Sequence, residues 1–355
     1  MFHVHTMRRY AAVLFIAAIS AVLLVGLISS SGTAQNAAPR LSFAIATGPS
    51  GGTYFPIGEA IGAIVSHPPG AGRCDTVDAC GPEGLIASAR TSSGAVANVR
   101  DVDALRTDSA LSQSDVVAEA VAGKGTFRSD GAETHVRIIA MLFAEDVLVV
   151  AAKSSGIRKL ADLKGRRVSI GTPGSGTLVT AKAVLDAARL SRKVRISTES
   201  ADVAARRIEE GTLDAFFFVG GAPVPFVQNL VSHGRAVLIP IDGADRRMLL
   251  AQTRGLVSTS IPMGEYADQQ RTETVATHAV FIVNDKEPAD VVFGITRALF
   301  NPVNRQLLVA AHPSAADIKL ETATVDLPAP LHPAAARFYA SAARAIARSD
   351  TSARR

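Results

Sequence analysis

The stretch IATGPSGGTYFPIG (Ile45–Gly58) decides the fold that this sequence predicts. An apolar run typical of a strand leads into a turn of glycine, proline and serine, and a helix follows from Thr53. A second stretch, VSIGTPGSGTLVTAKA (Val168–Ala183), repeats this order, with a helix from about Thr177. Strand, turn and helix in regular alternation predict an α/β fold.

The same alternation begins at Leu41, continues through the chain and restarts after Ala152. The strand His278–Asn284 is expected to return to the first part of the fold, so the chain would cross twice between two lobes. A chain of 355 residues also exceeds what one hydrophobic core usually supports. We therefore predict lobe I from residues 40–146 and 278–345, lobe II from residues 147–277, and a disordered tail at residues 346–355.

The N-terminus has the form of an export signal. Arg8 and Arg9 precede an uncharged apolar run, Ala11–Ile28, and small and polar residues then continue to Ala34. We predict that residues 1–34 are a signal peptide and that the mature chain is periplasmic. An uncleaved membrane anchor is the alternative, because the apolar run is near the roughly 18-residue length that can span a membrane.

The two cysteines, Cys74 and Cys80, lie in a segment rich in proline, glycine and aspartate (His67–Gly84). In an exported chain this spacing predicts a disulfide that closes a short loop. A two-ligand metal site is the alternative, and we favour it less because neither a histidine nor a further cysteine lies beside the pair.

The composition argues against a nucleic-acid partner. The formal net charge is only +5, the charges of both signs are interspersed, and the chain has no tryptophan and four tyrosines to stack on bases. The sequence also lacks the phosphate-loop, HExxH and zinc patterns, so we expect no cofactor and no metal.

The two glycine turns predict a site that binds an anion. Glycine lets a ligand approach the backbone, and the first N–H groups of a helix are unpaired. A carboxylate at such a helix start gains about 0.3–2 kcal/mol from the helix dipole. The turns Arg90–Gly94, Ser112–Asp115 and Val219–Pro223 also follow strands, and open α/β sheets bind ligands at that edge. These turns should converge on one cleft, unless they are ordinary connecting loops.

The segment Gly48–Gly52 also fits the G-x-S-x-G pattern of serine nucleophiles, which makes an exported serine hydrolase using Ser50 an alternative. In that fold several strands precede the nucleophile, whereas one strand precedes Ser50 here, and no histidine lies in a recognisable partner motif. We therefore expect Ser50 to donate a hydrogen bond and the protein not to be an enzyme. The pair Glu145 and Asp146 is interpreted as solvated.

Five stretches together resemble the TAXI solute receptors, the TRAP-associated extracytoplasmic immunogenic proteins. The resemblance extends from about Leu41 to Tyr339, and it is carried by ATGPSGGTYFPIGEAI, ALSQSDVVAEAVAG, SGIRKLADLKGRRVSIGTPGSGTLVTAKAVLDAA, GTLDAFFFVGGAPVP and LHPAAARFY. It implies a periplasmic-binding-protein fold of type II, with two α/β lobes joined by a hinge. Such a receptor closes over a small organic anion or amino acid and delivers it to the membrane subunits of a TRAP transporter.

The resemblance also implies the ligand class and the residues that bind it. The expected ligand is glutamate, glutamine or a dicarboxylate-like solute, and we expect a monomeric receptor. The ligand-binding residues would be Ser50, Gly52, Thr53 and Tyr54; Gln113 and Ser114; Thr172, Gly174, Ser175, Gly176 and Thr177; and Gly220, Gly221 and Pro223.

The turn after the second strand adds Ser92 and Ser93, although its sequence RTSSGAVANV departs from the T-G-G-S-V form commoner in that family. Arg90 and Arg137 are the candidate cations for pairing with a carboxylate. A receptor that signals to a partner, instead of feeding a transporter, is a further alternative.

Overall fold

The computed structural model describes residues 41–69, 74, 78–267 and 269–353, and side chains only up to residue 348. The predicted signal peptide at residues 1–34, with its alternative as an anchor, lies outside the described residues. The strands are β1 Leu41–Ala46, β2 Leu85–Arg90, β3 Ser109–Gln113, β4 Val136–Ala152, β5 Arg167–Ser169, β6 Arg195–Ser197, β7 Ala215–Gly220, β8 Ala236–Leu238, β9 Val257–Ile261 and β10 Thr272–Asn284.

The helices of the described part vary from one or two turns to a long C-terminal helix. They are α1 Tyr54–Val65, α2 Ala95–Asp103, α3 Ser114–Val121, α4 Gly176–Ala187, α5 Ala201–Glu209, α6 Pro225–Ser232, α7 Gly243–Gln252, α8 Ala289–Leu299, α9 Arg305–Ala311 and α10 Pro333–Ala353. None of these helices is long and apolar enough to cross a membrane.

All the strands join one mixed sheet with the order β2-β1-β3-β10-β4-β7-β5-β6, and β8 and β9 pair with β4 and β10. At one end β1 is parallel to β2 and β3, and at the other end β5 is parallel to β6 and β7. Between these parallel groups lie the two longest strands, β4 and β10, which are antiparallel. Long antiparallel strands of this kind can pass through two lobes and connect them.

The hydrophobic core divides in the same way. Around β1–β3, one cluster packs under α1 and α8 and includes Phe43, while another packs under α2 and α3 and includes Val99. Around β5–β7, one cluster packs under α4 and α7 and includes Val168, while another packs under α5 and α6 and includes Phe216. Each lobe is thus a sheet with helices on both faces, which confirms the predicted two-lobed α/β fold.

The strands β4 and β10 cross from one lobe to the other near Glu145. Leu142 belongs to the core of lobe I and Val147 to the core of lobe II. Glu145 pairs with Thr277 across the two strands, and the register becomes irregular just after His278. The exact residues at which the lobes begin and end stay a prediction.

The C-terminal helix α10 continues through residues 346–353, where the sequence analysis predicted a disordered tail. The segment ASAARAIARS is rich in alanine and arginine, which are strong helix formers, and this composition explains the continued helix.

The cysteine pair forms the predicted disulfide. Cys74 and Cys80 are bonded, with their Cα atoms 6.0 Å apart. Contrary to the sequence analysis, a histidine does lie beside them, because the ligand atoms of His67, Cys74 and Cys80 all lie within 4.8 Å of one another. In the oxidised state the disulfide engages both sulfur atoms.

Candidate functional site

A cavity of about 390 Å³ lies between the two lobes, at the carboxyl ends of β1, β3 and β5. Its volume is in the range of sites for small molecules. Both glycine turns line it, the first with residues 48–54 of lobe I and the second with Gly171, Thr172 and residues 175–177 of lobe II. The prediction that the two repeated turns meet at one cleft is therefore correct in its geometry.

Most of the residues predicted from the sequence come together here. The lining includes Ser50, Gly52, Thr53, Tyr54, Ser93, Gln113, Thr172, Ser175, Gly176 and Thr177. Whether they bind a ligand stays a prediction.

The two helix starts at the cavity are capped differently. Helix α4 begins at Gly176, and the hydroxyl of Ser175 accepts a hydrogen bond of 3.2 Å from the N–H of Leu178. Ser175 is therefore the cap, and the helix begins one residue before the predicted start at Thr177, whose hydroxyl accepts from the N–H of Val219. Helix α1 begins at Tyr54 after Thr53 and has no side-chain cap among the described residues. The first N–H groups of a helix have no partner within the helix, and Tyr54, the first residue of α1, lines the cavity.

The floor of the cavity contains a buried tyrosine–glutamate pair. The hydroxyl of Tyr54 donates a hydrogen bond of 2.6 Å to Oε2 of Glu145, which is only 2% exposed. Burial raises the pKa of Glu145 to about 8, and the nearby Asp115 and Asp146 add to this rise, while the hydrogen bond from Tyr54 opposes it. The interpretation of Glu145 as a solvated acid is therefore wrong, because the strand β4 continues through the crossing and places this residue inside the protein.

Gln113 is the second buried polar group at the cavity. It ends β3, is 3% exposed, and its Oε1 has no hydrogen-bond partner in the described part of the chain. Gly176 lies directly against it, since a Cβ added at Gly176 would overlap Oε1 of Gln113. A buried amide oxygen without a partner is costly, and here it is covered by the start of α4.

The charged residues that line the cavity are all acidic. They are Glu145, Glu199 and Asp202, and no lysine, arginine or histidine of the described chain lines it. Glu199 is already paired with Arg207, and Asp202 is exposed in the first turn of α5.

The two candidate cations lie elsewhere. Arg137 pairs with Asp285 at 3.0 Å, and Arg90 is exposed at the end of β2. A carboxylate in this cavity would therefore depend on backbone N–H groups and hydroxyls.

Lobe II supplies an apolar wall that the sequence analysis missed. Phe217, Phe218 and Phe226 line the cavity, and the rings of Phe218 and Phe226 meet edge to face with centroids 4.9 Å apart. The run AFFFV predicted a strand, but only the packing of α6 on β7 determines which ring faces the cleft.

Six predicted residues do not line the cavity: Ser92, Ser114, Gly174, Gly220, Gly221 and Pro223. The Ser92 hydroxyl donates to the carbonyl of Thr47 and accepts from the N–H of Gly94, so it fixes its own turn. Ser114 hydrogen-bonds with Thr277 at 3.0 Å and borders a second cavity, of about 530 Å³.

The remaining glycines join the lobes to each other. The carbonyl of Gly174 in lobe II accepts hydrogen bonds from the N–H groups of Val96 and Ala97, at the start of α2 in lobe I. These bonds span the cleft at one side.

On the other side, the turn Gly220–Pro223 packs on lobe I and leaves Pro223 outside the cavity. Thr53 donates to the carbonyl of Gly221 at 3.4 Å, and Ser314 donates to the carbonyl of Ala222 at 2.8 Å. Glycine is required at position 221 because a Cβ there would overlap Oγ of Ser314.

Together, the fold and the site define a two-lobed α/β protein with a solute-sized cavity between its lobes. Residues 45–342 match the model of the NMT1-like family, and the chain belongs to that family.

Similar solved structures include the alkanesulfonate-binding protein SsuA from Xanthomonas axonopodis pv. citri bound to MOPS, with 13% identity, 80% of this chain and 85% of that chain covered, and a TM-score of 0.45. The arginine-, lysine-, histidine-binding protein ArtJ from Geobacillus stearothermophilus is 10% identical, the match covers 77% of this chain and 96% of that chain, and the TM-score is 0.45. An ancestral arginine-binding protein bound to arginine is 13% identical, the match covers 77% of this chain and 97% of that chain, and the TM-score is 0.45.

Proposed function

We propose that this protein is an exported, monomeric receptor that captures a small carboxylate and delivers it to the membrane subunits of a TRAP-type transporter. The solute would be glutamate, glutamine or a dicarboxylate-like molecule, bound in the periplasm within the interlobe cavity. The resemblance to TAXI receptors supports the transporter role.

The observation that carries the proposal is the meeting of two helix starts from different lobes at one cavity. The start of α1 follows Thr53 and the start of α4 follows Ser175, and both residues line the cavity. Helix N-termini hold anions through unpaired N–H groups and the helix dipole. A solute that contacts both starts would favour the arrangement in which the lobes touch, which is how a ligand selects a closed state.

The surroundings of Ser50 favour binding over catalysis. Ser50 is exposed in its turn, and none of the described residues that line the cavity is a histidine that could act as its base. Micromolar affinity requires about 8 kcal/mol, which several charge-assisted hydrogen bonds together with burial can supply.

A thermal-shift screen of amino acids and dicarboxylates on the purified mature chain tests the binding role. A solute at 100 times its Kd should add about 2.7 kcal/mol to the free energy of unfolding. Stabilisation by none of these solutes would overturn the proposed ligand class, and labelling of Ser50 by a fluorophosphonate would overturn the non-enzymatic role. Co-purification with membrane subunits of a TRAP transporter tests delivery, whereas capture of a signalling protein would favour the alternative receptor.

A further inference from the structure

We propose that His67, Cys74 and Cys80 form a binding site for Zn²⁺ once a dithiol has reduced the disulfide between the two cysteines. The oxidised chain would exclude the ion and the reduced chain would hold it, so thiol–disulfide exchange would switch the site. None of the three residues lines the interlobe cavity. The inference is therefore independent of the solute and of the transporter role.

The three side chains already lie close enough to share one ion. A ring nitrogen of His67 and the sulfur atoms of Cys74 and Cys80 all lie within 4.8 Å of one another. In a tetrahedral zinc site, with Zn–S distances of about 2.3 Å and Zn–N distances of about 2.0 Å, neighbouring ligand atoms are about 3.5–3.8 Å apart. Only a small rearrangement of these side chains separates the observed cluster from such a site.

The ring of His67 is an unused ligand on a fixed backbone. Within the described part of the chain the ring makes no hydrogen bond and no ion pair, and the residue is half-buried. Such an imidazole can present either ring nitrogen to a metal. The backbone N–H of His67 donates to the carbonyl of Leu85 at 2.7 Å, and its carbonyl accepts from the N–H of Gly84 at 2.8 Å. The start of β2 thus holds this ligand in place.

Cys80 lies between two anchored neighbours. The carbonyl of Ala79 accepts a hydrogen bond of 2.7 Å from Nδ2 of Asn304. Gly81 lies against the carbonyl of the last residue of α1, which a Cβ at position 81 would overlap. Both contacts hold Cys80 near the end of α1, which His67 closely follows in sequence. We therefore expect these two ligands to keep their positions when the disulfide is reduced.

The donor set selects the metal. Thiolates and imidazole suit zinc and copper ions, whereas Mg²⁺ and Ca²⁺ prefer oxygen ligands. Two thiolates also balance the charge of one Zn²⁺ ion. Asp78, which lies between the cysteines in sequence, is paired with Arg297 at 2.6 Å and does not belong to the ligand cluster. Three protein ligands leave the fourth position of a tetrahedral ion to water.

The redox switch follows from the chemistry of sulfur. A thiolate binds metals, and both sulfur atoms of a disulfide have lost that form. A dithiol supplies two electrons and two protons, the S–S bond breaks into two thiols, and the dithiol is oxidised to its own disulfide. Zn²⁺ then displaces the two thiol protons to solvent. The affinity of the reduced chain should accordingly rise with pH while the thiols are protonated.

Titration of the purified mature chain with Co²⁺ and then Zn²⁺, before and after reduction by a phosphine, tests the site. The reduced chain should bind one Co²⁺ with a thiolate-to-metal charge-transfer band in the near ultraviolet, and Zn²⁺ should displace it. The oxidised chain should show no such band. His67→Gln should weaken Zn²⁺ binding at least about tenfold, because even residues that only orient a metal ligand contribute about 10–100-fold. The matched control, His233→Gln, replaces an exposed histidine of lobe II and should bind as the reduced wild type does.

Replacement of both cysteines by serine opens the same loop without supplying thiolates, and should remove the band. Equal Zn²⁺ affinity in the oxidised and reduced chains, or in reduced wild type and His67→Gln, would overturn the inference. A reduced chain that circular dichroism shows to be folded but that gives no band would do so too, as would a reduced chain that unfolds. Because the comparison of the two redox states uses the wild-type chain, it remains decisive even if His67→Gln does not fold. Each of these failures would leave the proposed receptor function intact.

Discussion

Tyr54 and Glu145 tie the start of α1 to the strand that connects the lobes, through a hydrogen bond of 2.6 Å from the tyrosine hydroxyl to Oε2. The two residues are 91 positions apart in sequence, and both line the interlobe cavity. One bond thus fixes the position of a helix N-terminus and the orientation of a buried carboxyl group. A solute in the cavity would therefore lie beside both this helix start and this carboxyl group.

Tyr54→Phe should therefore affect both stability and binding. Loss of a buried hydrogen bond that leaves its partner unsatisfied costs about 1–3 kcal/mol in the free energy of unfolding, measured by chemical denaturation. Solute affinity should fall as well. Tyr339→Phe is the matched control, because it loses a bond to the carbonyl of Ile139 outside the cavity and should lower stability alone. Identical affinities for the two variants would contradict a role for Tyr54 at the site.

Glu145 should make the unfolding free energy depend on pH. In the unfolded chain its carboxyl has the ordinary glutamate pKa of 4.5, whereas in the folded protein burial raises the pKa to about 8. Between these values the folded state binds the extra proton, so stability falls as pH rises, by at most about 1.4 kcal/mol per unit. Denaturation of wild type and Glu145→Gln at several pH values isolates this effect. Parallel pH curves for the two proteins would show that Glu145 does not retain its proton.

Gly176→Ala should destabilise the protein by about 1–3 kcal/mol and weaken solute binding. The new Cβ would overlap Oε1 of Gln113 and lie 3.1 Å from the Cβ of Ala95, and overpacking of this kind forces neighbours to move. Gly51→Ala is the control for stability, because nothing lies within 4 Å of a Cβ there and its backbone is not left-handed. A cost below about 0.5 kcal/mol for Gly176→Ala would mean that Gln113 is not held against this helix start.

Gly221→Ala should weaken the contact between the lobes. Its Cβ would overlap Oγ of Ser314 and approach Cγ2 of Thr53, both in lobe I. We expect lower solute affinity and a larger radius of gyration in small-angle scattering. Ser314→Gly in the same chain removes the overlap and should restore part of the affinity. An unchanged radius and affinity in Gly221→Ala would argue against this contact in the solute-bound protein.

The disulfide should contribute to stability through the loop it closes. Replacement of Cys74 and Cys80 together by serine should lower the free energy of unfolding by about 2–2.5 kcal/mol if the bond acts through chain entropy. Reduction of the wild-type protein should give a similar loss. No change in either experiment would show that the loop is constrained by its other contacts.

The sequence predicted the fold and the turns well because their signals are local. The strand, the glycine turn and the helix around Thr53 follow one another within a few residues, and so do those around Ser175. The role of Glu145 could not be predicted in this way. Its burial depends on pairing with Thr277, which is 132 residues away in sequence, and on the approach of Tyr54.

The same reason explains the glycines that were placed at the ligand. Gly220 and Gly221 resemble the other glycine turns, but Gly220 lies near Thr53 of lobe I, and Gly221 lies against Ser314 from the C-terminal part of the chain. Long-range packing, which a single sequence does not reveal, decides whether a glycine faces a ligand or another lobe.

The most direct test of the account is a calorimetric titration of Thr172→Trp with L-glutamate, or with the amino acid or dicarboxylate that stabilises the wild type most. Thr172 lines the cavity, so the indole should fill it and weaken binding at least about tenfold relative to wild type. Ser129→Trp places the same ring on an exposed turn outside the cavity and should bind as the wild type does. Equal affinities for Thr172→Trp and Ser129→Trp would show that the solute binds elsewhere and would contradict the interlobe site.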